Sequence, residues 1–327
     1  MTPDRPGPVL QIEALRTEFR IGGAWHPAVD GLSLAIRRQE TLALVGESGS
    51  GKSMTALSVM GLVPEPAGRI GAGRITLDGT ELTGLSDRKL ETLRGDRMAM
   101  IFQDPMTSLN PVMPIGAQIA EGLRVHRGLA RAAAAERALA ALEEVRMPSA
   151  ARRFGDYPHQ FSGGMRQRVM IALALACEPA LLLADEPTTA LDVTIQAQVL
   201  ALLADLKARH GMAMLFITHN LGVVAQVADR VAVMYAGQIV EEAGVLDMYD
   251  APAHPYTRGL FAAIPRMHGG VQTLAAIPGR VPPLTAMPKG CRFAPRCAET
   301  RAGCEQPQTL APLGPFHRVR CHVAARR

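Results

Sequence analysis

Gly46-Glu47-Ser48-Gly49-Ser50-Gly51-Lys52-Ser53 is the stretch of this 327-residue chain on which its fold turns. It fits the pattern G-x-x-x-x-G-K-[ST]. A short apolar run, Thr41 to Val45, comes before it, and a helix-like segment from Ser53 to Leu62 follows, ended by Pro64 and Pro66. The loop is therefore predicted to join a strand to the start of a helix. In that setting the glycines let successive N–H groups turn inward and cup a phosphate. The helix N-terminus adds unpaired donors and the favourable end of its dipole. Lys52 brings a compact charge to the terminal phosphates, Ser53 offers a hydroxyl to Mg2+, and Met54 continues the contact surface. The chain has four lysines against 31 arginines, so lysine is used here against the composition. A planar guanidinium does not replace a small ammonium inside a closed loop.

Outward from the loop, polar side chains stand at the ends of further apolar runs. Met98 to Phe102 runs into Gln103-Asp104-Pro105, Leu181 to Ala184 into Asp185 and Glu186, and Ala213 to Ile217 into Thr218 and His219. A buried strand ending in two acids places Asp185 near a Mg2+ shell and Glu186 where it polarises an attacking water. The Gln103 amide can reach the metal or its water, and His219 a γ-phosphate. A lone Gln is more commonly a surface residue and a lone His structural, so these two gain meaning only from the set. Phe161-Ser162-Gly163-Gly164-Met165-Arg166-Gln167 is a second glycine-rich helix start, with Ser162 as the expected N-cap. One nucleotide seldom needs two cradles from one chain; two chains head to tail can each supply one.

Hydrophobic residues make up 48% of the chain, enough for a substantial core. No apolar run approaches the ~18 residues of a membrane span, the longest, Val169 to Cys177, stopping at Glu178. The first residues show no apolar signal region. A cytosolic protein tied to a membrane only through partners is the expectation. The pI of 9.2 by itself points toward nucleic acid. But residues 280–327 hold nine basic and two acidic residues, a net of +7, which leaves −2 for the rest. Without interleaved aromatics that tail does not read as a nucleic-acid surface. Helical segments between short apolar runs predict an α/β fold with a mostly parallel sheet. The expected organisation is a core of residues 1–105 and 166–250, a helical subdomain over 106–165, and an extension over 251–327, where eight prolines between Pro252 and Pro295 disfavour long helices.

Taken in order, these motifs resemble the nucleotide-binding domain of ABC transporters, a P-loop NTPase (RecA-like) fold. Gly46–Ser53 is similar to its Walker A motif, Gln103 to the Q-loop and Phe161–Gln167 to the signature motif. Leu181–Glu186 resembles Walker B, Thr189–Asp192 the D-loop, and His219 the switch histidine. The resemblance implies ATP and Mg2+ as ligands, with Ser53, Gln103 and Asp185 at the metal and Glu186 and His219 as catalytic residues. It implies that Ser162, Gly163, Gly164 and Met165 serve a nucleotide held mainly by a second ATPase subunit. Phe19 falls where the family places an aromatic on adenine, with Trp25 as its competitor. Met165 departs from the Gln most often found after the signature glycines.

Further segments resemble the oligopeptide/dipeptide importer ATPases, a group that includes nickel and glutathione importers. They are Gln103–Pro111, Pro158–Arg168, Asn220–Val224, His254–Thr257 and Gly290–Cys297, the last typical of the "D" partner of the usual ATPase pair. This implies two transmembrane permease subunits, an extracytoplasmic substrate-binding protein, and a peripheral position on the cytoplasmic face of the cell (inner) membrane. Non-transport ABC ATPases usually carry two cassettes or a long coiled coil, and neither is visible. Of five cysteines, Cys177 sits alone in an apolar helical stretch, and Cys291, Cys297, Cys304 and Cys321 are spaced C-x5-C-x6-C-x16-C. Four soft ligands suggest Fe–S or Zn, or thiols without metal. Only the resemblance favours a [4Fe–4S] cluster, whose negative charge the basic tail would offset.

Overall fold

The computed structural model describes residues 7–104, 108–189, 191–263 and 277–326. Pro105, Met106, Thr107, Ala190 and Pro265, which figure in the segments above, lie outside the described residues, as do the first six residues and Arg327. The chain opens with β1 (Leu10–Ile21), β2 (Ala24–Ile36), β3 (Thr41–Val45), α1 (Lys52–Met60), β4 (Gly68–Leu77) and β5 (Thr80–Glu81). Next come α2 (Asp87–Leu93), β6 (Met98–Ile101), α3 (Ile115–Arg127), α4 (Arg131–Glu144), α5 (Ala150–Arg153) and α6 (Gly163–Leu175). β7 (Leu181–Asp185), α7 (Val193–His210) and β8 (Ala213–Thr218) follow. Last are α8 (Leu221–Val227), β9 (Arg230–Tyr235), β10 (Gln238–Gly244), α9 (Val245–Asp250), α10 (Pro255–Ala262), β11 (Ala311–Gly314) and β12 (His317–Val319). By internal packing the chain divides into one unit of residues 1–9, 36–40 and 84–215 and another of 10–35, 41–83 and 216–327.

In the first unit β6 and β7 pair in parallel, Met98 opposite Leu181 through Ile101 opposite Ala184. All five residues of β7 are buried, the pattern of a strand covered on both faces. Within the stretch expected as a helical subdomain, the helix is broken at Gly128, whose φ of 65° ends α3 and lets α4 begin three residues later. α4 then buries Ala134, Ala138, Ala141 and Leu142, a stripe at helical spacing. Cys177 is buried after α6, as its apolar surroundings predicted, and burial pushes its thiol pKa up.

The second unit holds two groups of paired strands. β3 runs parallel to β9, and β9, β10, β12 and β11 then follow in antiparallel succession. In the other group β1 and β5 flank β4, both antiparallel to it. The mostly parallel expectation thus holds for the strands beside the phosphate loop and β6–β7, while the antiparallel pairings were not anticipated. β4 escaped notice because its glycines and arginines blur the alternation: Gly-Arg-Ile-Gly-Ala-Gly-Arg opens it. Among the described residues no helix is long and apolar enough to cross a membrane.

Candidate nucleotide site and its support

The phosphate loop belongs to the second unit and leaves β3 with its backbone tightly packed. Gly46 has φ 153°, and a Cβ there would lie 2.1 Å from the Met234 carbonyl oxygen. Gly51, at φ 102°, is the N-cap of α1, and a Cβ on it would meet the Ala28 oxygen at 2.8 Å. Both positions require glycine for conformation and for space. Ser48 and Gly49 are exposed at the tip, while Ser50 is buried. Among the described residues the Ser50 hydroxyl finds no hydrogen-bond partner, and its carbonyl accepts from the Gly237 N–H at 2.8 Å. Lys52 is 5% exposed, and its ammonium donates to the Gly46 and Glu47 carbonyls at 2.8 and 3.0 Å. The lysine is folded back across the loop, its charge held where phosphate oxygens would arrive. Ser53 and Met54 are half-buried in the first turn of α1, with the Met54 carbonyl accepting from the Ser58 hydroxyl at 2.7 Å.

Phe19 and Trp25, the two candidates for an adenine platform, lie on β1 and β2 of the same unit, both half-buried. The Arg69 guanidinium sits 4.0 Å over the Trp25 ring, so one face of that indole is already covered. His219, exposed, directly follows β8.

In the first unit the parallel register brings two predicted residues together. Ile101 pairs with Ala184, so Gln103 and Glu186, each two residues further on, emerge at the same strand ends. The Gln103 amide Nε2 donates to Glu186 Oε2 at 3.2 Å, and the Thr189 hydroxyl donates to the same oxygen at 2.9 Å. Glu186 adopts φ +48°, a left-handed conformation costing on the order of 1–3 kcal/mol for a residue with a Cβ. Its carboxylate is thus aimed by a strained backbone and two donors. Asp185, just before it, is 4% exposed at the end of β7.

Ser162 occupies the N-cap position of α6, as expected, but its hydroxyl does not cap the helix. Ser162 and Gly163 are exposed, and Gly164 and Met165 half-buried. A Cβ on Gly164 would come within 2.8 Å of Ile195 Cγ2, so glycine lets α6 start hard against α7. The capping on this side comes from Asp192, whose carboxylate accepts the Ile195 N–H at 2.9 Å at the start of α7. The sequence places Asp192 in the D-loop segment Thr189–Asp192, and the Asp before a helical run was also the signal for a cap.

The extension beyond residue 250 is fastened to the rest of the second unit by two adjacent buried acids on β10, pointing to opposite faces. Glu241, fully buried, accepts the N–H groups of Ala253 and His254 at 2.7 and 2.8 Å and pairs with His317 Nε2 at 2.7 Å. Glu242, 2% exposed, is bound by Arg230 and Arg318. Tyr235, Tyr256 and Phe293 then pack into one cluster, the Tyr235–Phe293 pair edge to face at 5.2 Å. His254 lies fully buried beside Phe293, its Nδ1 accepting the Tyr256 N–H at 3.0 Å. Burial, with Arg258 and Arg320 nearby, lowers its pKa to about 3.

The four tail cysteines do not form the expected cluster site. Among the described residues no group of three or more His, Cys, Asp or Glu is arranged to hold a metal. Cys291 and Cys297 instead pack against the aromatic cluster, and Cys297 Sγ accepts the Glu299 N–H at 3.4 Å. Cys304 is buried, and its carbonyl accepts the Cys291 N–H at 2.8 Å. Cys321 lines a separate cavity of about 390 Å³ with Gly303, Gln308 and His322. The thiols are gathered in one region and influence one another, and burial pushes those of Cys291 and Cys297 up.

The sequence profile described as ABC transporter matches residues 29–189, and that of the oligopeptide/dipeptide transporter C-terminal region matches 240–304. Two proteins named as peptide import ATP-binding proteins align along almost the whole chain. One, from Brucella abortus, is 48% identical over 317 residues, 97% of this chain and 95% of its own length. The other, from Brucella ovis, is 49% identical over 326 residues, 96% of each. Among solved structures, a dimeric post-hydrolysis state of the ATP-binding cassette MJ0796 with ADP and phosphate superposes with a TM-score of 0.65. It is 27% identical and covers 72% of this chain and 98% of that one. A Clostridium perfringens protein, cbiO1, part of an ABC transporter complex, shares the fold at a TM-score of 0.63, 24% identity, and 75% and 92% coverage.

Proposed function

This chain belongs to the ABC transporter ATPases, and from that premise we propose that it energises the import of di- or oligopeptides. The observation that carries the peptide reading is the extension: the likeness does not stop at the cassette but runs on through residues 240–304. In this reading the chain pairs with a second ATPase subunit and docks on two permease subunits. It sits at the cytoplasmic face of the cell membrane, and a substrate-binding protein outside delivers the peptide. The working division is a core of 1–105 and 166–250, a helical subdomain of 106–165, and the extension.

The chemistry follows from the two halves of the site. Lys52 and the loop amides from Gly46 to Ser53 take the phosphates, and Phe19 receives the adenine, since Arg69 already covers one face of Trp25. Ser53, Asp185 and Gln103 would hold Mg2+, whose charge would offset that of the phosphates. Glu186 orients and deprotonates the attacking water; the hydrogen bond from Gln103 makes the aim of that carboxylate responsive to what the Gln103 loop touches. His219 contacts the γ-phosphate. Ser162, whose hydroxyl is not spent on its own helix, and Gly163, Gly164 and Met165 face the partner's nucleotide.

Glu186→Gln tests the catalytic half. It should lower hydrolysis by roughly 10²–10⁴-fold while ATP binding persists and an ATP-closed dimer accumulates; undiminished turnover would refute the role. Co-purification tests the transport half: two multi-span subunits should accompany the tagged chain, and their absence would count against it. A [4Fe–4S] cluster on Cys291, Cys297, Cys304 and Cys321 is proposed from the family resemblance, against the arrangement of the thiols, and the nucleotide chemistry does not pass through it. Iron and sulfide assays on anaerobically purified protein decide this, colourless iron-free protein ending the idea.

A further inference from the structure

Glu47 places a carboxylate in a loop whose ligand carries several negative charges. Left alone, that charge opposes the ligand across a few ångströms. The structure sets a cation directly on it. Arg296, in a short 3-10 turn of the extension, grips the carboxylate through both terminal nitrogens, Nη1 to Oε2 at 2.9 Å and Nη2 to Oε1 at 3.2 Å. The arginine side chain is only 6% exposed. Its remaining donors are also engaged: Nε with the Pro278 carbonyl at 2.7 Å, Nη1 with the Tyr235 hydroxyl at 3.4 Å and Nη2 with the Ile277 carbonyl at 3.4 Å. A guanidinium has five N–H donors in a rigid fork, and here five acceptors surround it. Its orientation is fixed without help from Glu47.

The same loop residue is held a second time. The Glu47 N–H donates to the Tyr256 hydroxyl at 2.9 Å, and Tyr256 is fully buried in the aromatic cluster. The Glu47 carbonyl in turn accepts from Lys52. Side chain, amide and carbonyl of one loop residue thus connect the extension to the lysine that meets phosphate. We propose that the C-terminal extension is part of the nucleotide site: Arg296 is a positioning residue that cancels the charge of Glu47 and, with Tyr256, holds the phosphate loop in its ATP-receiving shape. This rests on the reading of Gly46–Ser53 as the ATP loop and adds two residues that lie outside every nucleotide motif.

The charge makes a signed test possible on the full-length chain, by calorimetric titration of MgATP and MgADP. Arg296→Gln should weaken ATP binding about 5–20-fold, ADP less, with the loss shrinking as salt is raised. It should act on KM with kcat at saturation little changed. Adding Glu47→Gln to that variant should restore most of the affinity, because the uncompensated carboxylate is gone, and Arg296→Lys should fall between. Tyr256→Phe, which removes only a hydroxyl, gives a second, milder loosening should Arg296→Gln fail to fold. If Arg296→Gln and Tyr256→Phe bind ATP within about twofold of the unsubstituted chain, or if the double variant is as weak as Arg296→Gln, the inference is overturned. An unsubstituted chain that fails to bind ATP would instead overturn the nucleotide reading itself.

Discussion

Gly46–Ser53 and Ser162–Met165 are both glycine-rich entries into a helix, and the protein treats them in opposite ways. The first is built in: its serine at position 50 is buried, its lysine is folded across the loop, and residue 47 is gripped at side chain and amide by the extension. The second is left open: Ser162 and Gly163 are exposed, and the cap that its serine could make is not made. A loop that must be ready for ligand within its own chain is pre-organised. One that completes a site only against a second chain keeps its polar groups unspent. In the proposed reading, the difference marks which half of the nucleotide site each chain would own.

Lys52→Ala strikes the owned half hardest. It removes a buried ammonium that nothing else replaces, and ATP binding should weaken roughly 100-fold, measured by titration. Comparable affinity in that variant would erase the contrast. Gly164→Val should act on the other half, forcing α6 off α7 at the 2.8 Å approach to Ile195. The expected cost is about 1–3 kcal/mol of stability, read by denaturant unfolding, with ATP affinity of the single chain unaltered. If affinity fell as far as stability, the two loops would not be independent.

A third measurement concerns the support beneath the phosphate loop. His254 stays neutral in the folded protein down to about pH 3, whereas in the unfolded chain it gains a proton near its ordinary value of 6.5. Between those values the unfolded state binds more protons, so stability falls as pH drops, by at most about 1.4 kcal/mol per pH unit. Above pH 6.5 this contribution is flat. His254→Asn keeps an acceptor for the Tyr256 N–H and should flatten the acid limb in unfolding curves taken across that range. Smallest of all, Ser162→Ala should change stability by less than about 0.5 kcal/mol, because no capping bond is lost. A larger loss, near the ~1 kcal/mol of a working cap, would mean the open loop is braced after all.

The sequence was most readable where function sits at the ends of elements. The phosphate loop, the acids after Leu181–Ala184 and the glutamine after Met98–Phe102 were legible because strand, turn and helix signals lie within a few residues of each chemical group. That Gln103 touches Glu186 was not, since the parallel register of β6 and β7 decides it across 83 positions. β11 and β12 were missed behind the prolines of the tail; they are short strands, β12 pairing with the acids of β10 and β11 lying outside it at the edge. The cysteines show the opposite error. A count of four suggested one ligand set, and the thiols do gather in one region, but among the described residues no group of three or more is arranged to hold a metal. Arg296 carried no local signal at all, because its partner lies 249 residues earlier.

That separation has a consequence in time. A chain emerging from the ribosome displays Gly46–Ser53 early, yet the guanidinium that settles Glu47 is added 249 residues later. At ~5–20 residues per second this is a delay of roughly 12–50 s. During that interval the loop exists as sequence without its finishing contact. The phosphate loop is therefore made well before the contact that completes it.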